Sequence, residues 1–224
     1  MVRTLDGGTT ASRKRRNLEI IRAEVEKELD LGFRHAEYEM EKLHGGLMGS
    51  VVTPLIKFVY FFAARDKIRE MGHRQLNIMV KCVSGCGGTN LSEVLKRNFN
   101  EYIKHDETYI RCDRTHSKAM ELEEIIWEIY RSRVEAMSVI AHGHGKSYDE
   151  LVRNAMGKGD AKRLLGKNLQ YTRRMLSLIE TERNLLDIPA VGRSDVIKML
   201  NISFDYAQKR LDSRIDEIFG GKKL

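Results

Sequence analysis

A chain of 224 residues that is 42% hydrophobic and 32% charged can bury a substantial core, which argues against disorder driven by charge excess. Its formal net charge of +7 attracts polyanions, because neutralising phosphates releases condensed counterions. The three cysteines, Cys82, Cys86 and Cys112, are too few and odd in number for a disulfide framework, and fit a reducing, cytoplasmic setting.

Met1 to Thr10 lacks the apolar stretch of a secretory signal and, with Gly7 and Gly8 inside it, is expected to fray. A helix is predicted from about Ser12 to Leu43, since Leu18, Ile21, Val25 and Leu29 recur at steps of three and four and share one face. Gly32 can kink it. Val51 to Ala64 is the most apolar stretch, but it is too short to cross a bilayer and contains Pro54 and Lys57. It reads as a buried helix, roughly Thr53 to Met71, with no membrane partner.

Between Gln75 and Val83 the period changes. Leu76, Ile78, Val80 and Cys82 alternate with Asn77, Met79 and Lys81, which predicts a short strand. A glycine-rich turn, Ser84 to Thr89, leads to Asn90, an N-cap with Glu93 three positions on. The helix it starts carries Leu91, Val94, Leu95, Phe99 and Ile103, and an extended piece, Thr108 to Cys112, follows. Cys82 and Cys86 are four apart, and Cys112 and His116 repeat that spacing. Three thiolates and an imidazole make a plausible tetrahedral set for a structural zinc ion.

From Ser117 to Ala141 a broad apolar stripe, including Leu122, Ile126, Ile129, Tyr130, Met137 and Ile140, predicts a buried helix. Gly143 and Gly145 end it, and Ser147 with Glu150 has capping-box spacing for a short helix to about Met156. Gly145, Lys146 and Ser147 look like the end of a phosphate loop, but Ile140 stands where the first glycine of that pattern belongs. A helix stop followed by a cap explains them better. Asp160 can cap a helix reaching about Leu186, and two last helical segments follow the loop around Pro189.

The run from Ser194 to Ile215 resembles the helix-turn-helix superfamily of DNA-binding proteins. Asn201 stands where the turn's left-handed residue is wanted, Ile202 plugs the turn, and Ser203 caps a second helix. The resemblance covers about a tenth of the chain. Asn201 replaces the usual glycine, and Ile197 replaces the small residue often found four positions before it. The resemblance implies a recognition helix presenting Phe204, Asp205, Tyr206, Gln208 and Lys209 to base edges, with Arg210 and Arg214 on phosphates. The run Arg13, Lys14, Arg15 and Arg16 opens the first long helix. That is the wrong end of the helix dipole for cations, and a phosphate-contacting arm is one explanation.

The fold expected is therefore mainly α: a multi-helix bundle with a small central α+β element and a C-terminal helix-turn-helix. Its regions are 1–74 (helical), 75–116 (the small element with its zinc clip), 117–188 (bundle) and 189–224 (helix-turn-helix-like). The expected function is DNA binding in regulation, replication or packaging, with a homo-oligomer multiplying weak contacts. The alternatives are a helical scaffold that assembles with other proteins, or a metal-dependent carboxylate-bundle enzyme. The last would draw on Glu41 with His44 and Glu70 with His73. No spacing supports a catalytic set of the Ser/His/Asp or Cys/His kind.

Overall fold

The computed structural model describes residues 7–43, 52–86, 90–187 and 190–220. Among them are eight helices: α1 (Gly7–Leu43), α2 (Val52–Gly85), α3 (Leu91–Ile103), α4 (Glu107–Ile110), α5 (Ala119–Ala141), α6 (Tyr148–Ala155), α7 (Lys158–Thr181) and α8 (Ala190–Phe219). The mainly helical expectation holds. No described helix is long and apolar enough to cross a membrane.

The centre of the bundle is α5. Its predicted stripe is buried, with Leu122, Ile126, Tyr130 and Ile140 at 2% exposure or less. Each aliphatic side chain so buried contributes about 1.5–3 kcal/mol. The helix packs chiefly against α7, and also against α1, α2 and α3. An aromatic cluster fixes the α3 contact: Phe99 meets Trp127 edge-on at 4.9 Å, and Tyr102 lies 4.7 Å from Tyr130. Such pairs add about 0.5–1.5 kcal/mol to their burial. Two of the caps read from the sequence form, while the third does not: α7 starts at Lys158 on Gly157, which puts Asp160 in its first turn rather than at the cap. Asn90 accepts the Ser92 amide at 3.1 Å, and Ser147 accepts the Glu150 amide at 3.3 Å.

The strand expected at 75–83 is not there; those residues are the last turns of α2. The apparent alternation misled because it left out Met79 and Val83. The buried set is Leu76, Ile78, Met79, Cys82 and Val83, while Asn77 and Lys81, four apart, are exposed. That is a helical face. The piece from Thr108 to Cys112 is mostly the short α4, capped by the Asp106 carboxylate on the Tyr109 amide at 3.0 Å. Only an isolated antiparallel bridge, Cys112 with Leu186, has strand character among the described residues. It ties the connection before α5 to the one after α7, so no small α+β element separates 75–116 from the rest.

The C-terminal run is likewise one helix, α8, and the turn expected at Asn201–Ser203 is absent. Neither glycine nor proline interrupts 194–215, and Asn and Ser inside a helix cost only a few tenths of a kcal/mol each. A continuous helix puts Phe204, Ile215 and Ile218 on one buried face. Packing gains of that size outweigh the local turn preference.

Helices α1 and α2 are antiparallel: Asp30 pairs with Arg69 at 2.8 Å, and Glu26 approaches His73 at 3.8 Å. Helix α8 runs back along α1. Residues of α1, α2, α5, α7 and α8, with Tyr148 of α6, line an apolar cavity of about 360 Å³ that is partly open to solvent.

Candidate functional site

The residues expected to read DNA from the C-terminal helix are mostly turned inward. Phe204 is buried, with the Arg173 guanidinium 5.6 Å from its ring centre. Tyr206 stacks on His35 of α1 at 4.2 Å. Arg210 donates to both carboxylate oxygens of Glu28, one at 3.2 Å. Arg214 reaches three carboxylates: Glu24, Glu28 at 3.2 Å and Asp149 at 2.8 Å. The side chain of Arg214 is only 21% exposed and that of Glu24 18%. Burial works against the Arg214 charge, but the hydrogen bonds to Glu24 and Asp149 and the charges of those carboxylates outweigh it and hold the guanidinium still more firmly cationic. Asp205, Gln208 and Lys209 remain exposed. The two arginines assigned to phosphates therefore clamp α8 to α1 and α6.

The basic run at the start of α1 has different surroundings. Helix α1 docks on the 142–147 loop through Asn17, fully buried, whose amide donates to the Ala141 carbonyl at 3.0 Å and the Gly143 carbonyl at 2.9 Å. One turn earlier, Arg13 lies 3.3 Å from the His144 ring, and Arg16 donates to the Gly145 carbonyl at 3.3 Å. Lys14 faces the end of α2 near Cys86. Arg15 leans on Glu19 at 3.8 Å, both highly exposed. Lys146 and His142 lie on the same loop and are exposed.

The loop keeps this shape because it lies hard against α6. A Cβ on Gly143 would come within 2.6 Å of the Leu151 carbonyl, and one on Gly145 within 2.6 Å of the Glu150 side chain. Glycine is needed at both positions for that approach. The Gly145–Lys146–Ser147 triplet is a helix stop and cap, as the sequence suggested: Ser147 caps α6, and the Lys146 amide donates to Glu150 at 2.7 Å.

Arg13 and Arg16 therefore meet the loop that carries His142, His144 and Lys146, Lys14 lies beside them toward the end of α2, and none of these four cations has an ion pair among the described residues. The buried Nε–H of Arg13 has no acceptor. Glu150 and Glu19 are the nearby carboxylates, one engaged by a backbone amide and the other by Arg15. Sequence reasoning found the α1 half of this cluster. It singled out the Gly145–Lys146–Ser147 loop separately, and did not join it to α1 because nothing local links residue 13 to residue 144.

The four residues assigned to zinc are not brought together. Cys82 and Cys86 sit one turn apart at the end of α2, where the Cys86 thiol donates to the Cys82 carbonyl at 3.0 Å. Cys112 is buried at the bridge to Leu186, and His116 accepts the Lys118 amide and faces Glu182 at 3.7 Å. Burial pushes the Cys86 and Cys112 thiols up, away from the thiolate form that a metal requires. Among the described residues, no three His, Cys, Asp or Glu side chains cluster as a metal site would need. Of the carboxylate–histidine pairs, His73 faces Glu26 of α1, while Glu70 pairs with Arg74. The side chain of Glu41, and His44, lie outside the described residues.

Comparison with known proteins finds no family model that matches the chain, and no curated protein or solved structure significantly similar to it.

Proposed function

We propose that the protein binds nucleic acid through the sugar-phosphate backbone, using the patch formed by the first turns of α1 and the 142–147 loop. The observation that carries this reading is the docking of Arg13 and Arg16 on the loop that bears Lys146, with Lys14 alongside and no ion-pair partner for any of the four among the described residues. Cations left without carboxylates are the ones a phosphate can claim. Guanidinium groups grip phosphate with two parallel hydrogen bonds, and exposed Arg16 commits one donor, to the Gly145 carbonyl, leaving the others for a phosphate. The contacts are of the positioning kind, with no helix offered to a groove for base reading. The overall charge of +7 supplies the long-range attraction.

The test is a binding titration of the full chain with random-sequence duplex DNA across a salt series. Affinity should fall steeply with salt. Changing Arg13→Gln, Lys14→Gln and Arg16→Gln together should weaken binding at least about tenfold and flatten the logarithmic salt slope by roughly 2–3. Lys209→Gln should change little. A chain that fails to bind duplex at low salt, or a triple variant that binds like its parent, would overturn the reading.

A further inference from the structure

We infer that the cavity among α1, α2, α5, α7 and α8 is a binding site for a small amphipathic carboxylate, its apolar body in the bundle and its carboxylate on Arg133. The site is separate from the basic patch and does not depend on it.

The volume of about 360 Å³ falls in the lower part of the roughly 300–1,000 Å³ range of small-molecule pockets. The walls are mainly aliphatic, among them Leu29, Leu76, Met137, Leu165, Leu169 and Leu211. Interiors normally close up until few voids exceed a water molecule, so a leucine-walled pocket of this size, partly open to solvent, suits an apolar occupant that can enter from outside.

Two glycines support that reading. Gly32 and Gly72 both line the cavity from the middle of long helices, where each costs about 1 kcal/mol relative to alanine. Such glycines usually serve a close approach of backbones. Here a Cβ on Gly32 would meet nothing within 4 Å, and one on Gly72 would meet only the Leu29 side chain at 3.9 Å. Gly166 also meets nothing, but it does not line the cavity. What Gly32 and Gly72 preserve is open space.

The charge comes from the lining itself. Glu24, Glu28, Arg210 and Arg214 already satisfy one another. Arg133 does not share in this. It has no ion pair among the described residues, and its one hydrogen bond goes to the Tyr102 hydroxyl at 3.3 Å. Asp106 is close enough for the Arg133 charge to favour its ionised form but makes no ion pair with it: its carboxylate caps α4 and accepts from Gln75, and burial pushes its pKa up against that charge. A guanidinium that makes no ion pair and only one hydrogen bond in a largely apolar wall selects a carboxylate, which can accept two of its N–H groups at once. An uncharged ligand would leave those donors unanswered.

The test titrates the full chain, by calorimetry below micellar concentrations, with two probes that share one tail: dodecanoate and dodecanol. The carboxylate should bind one to one and at least about tenfold tighter than the alcohol. Arg133→Gln should lower carboxylate binding to the level of the alcohol while alcohol binding is kept. Gly32→Met should fill the space and remove binding of both, with a melting temperature no lower than the parent's. The inference is overturned if the folded chain takes up neither probe, if it binds the two equally, or if the preference for the acid survives Arg133→Gln. Duplex binding should be the same in Arg133→Gln as in the parent, so the two readings fail separately.

Discussion

Arg13 with Arg16, and Arg210 with Arg214, are alike in the sequence: two cations about one helical turn apart, near the ends of the chain. The fold gives them opposite surroundings. The α8 pair meets Glu24, Glu28 and Asp149, and its charge is consumed holding helices together. The α1 pair meets a backbone carbonyl and an imidazole. The same helix, α1, carries both halves of this difference, with its cations in the opening turns and Glu24 and Glu28 further along. Arginine content therefore says how much positive charge a chain has. Which of it is offered to a partner depends on where the carboxylates fall in space.

The largest effect that can break this comparison is on stability. Arg214→Ala takes from Asp149 and from Glu24, only 18% exposed, the guanidinium they share, while Glu28 keeps Arg210 and Glu24 keeps Lys27. Removing one partner of a buried pair costs about 3–5 kcal/mol, and partial exposure here reduces that to about 2 kcal/mol. For a chain of this size the melting temperature should fall by roughly 4–8 °C. If Arg214→Ala melts like its parent, the α8 arginines are not structural and the contrast collapses.

A smaller effect sharpens it from the other side. Arg13→Gln with Arg16→Gln should shift stability by less than about 1 kcal/mol, since exposed residues without ion pairs contribute little. Asn17 stays to hold α1 on the loop. The same change should weaken duplex binding. A double variant that unfolds without losing affinity would show that these arginines serve the docking of α1.

Much of the fold was legible because burial and helical period agree along α5: Leu122, Ile126, Ile129, Tyr130, Met137 and Ile140 share a stripe in the sequence and a core in the structure. The caps at Asn90 and Ser147 were legible because a cap is a local hydrogen bond. At 75–83, Val80 and Cys82 continued an alternation that a short window cannot tell from a helix carrying Met79 and Val83 inward. At 201–203 the turn residues were suitable for a turn, but no local rule reports that Phe204, Ile215 and Ile218 gain more by staying in line. The spacing of the cysteines was real and their separation in space was not visible in it. Of the site, the cations of α1 could be read. Their partners on the loop, and the lack of an ion pair to any of them except Arg15 among the described residues, are facts of three dimensions.

The smallest effect concerns Tyr148, whose ring lies under the Arg214 guanidinium at 5.0 Å. Burial pushes its pKa up to about 12, with Glu24, Asp149 and Glu28 adding to the shift and Arg214 opposing it. An unfolded tyrosine ionises near 10, so between those values the unfolded chain has lost the proton and the folded chain has kept it. Stability contributed by the neutral phenol is complete below about pH 10 and is lost as pH rises through about 12. Urea midpoints measured across that window should fall more steeply in the parent than in Tyr148→Phe, which keeps the ring under Arg214 but has no proton to lose. Equal slopes would mean that Tyr148 ionises as it does in water. The α8 cluster would then be as open to solvent as the basic patch, and the difference in burial that separates the two arginine pairs would be lost.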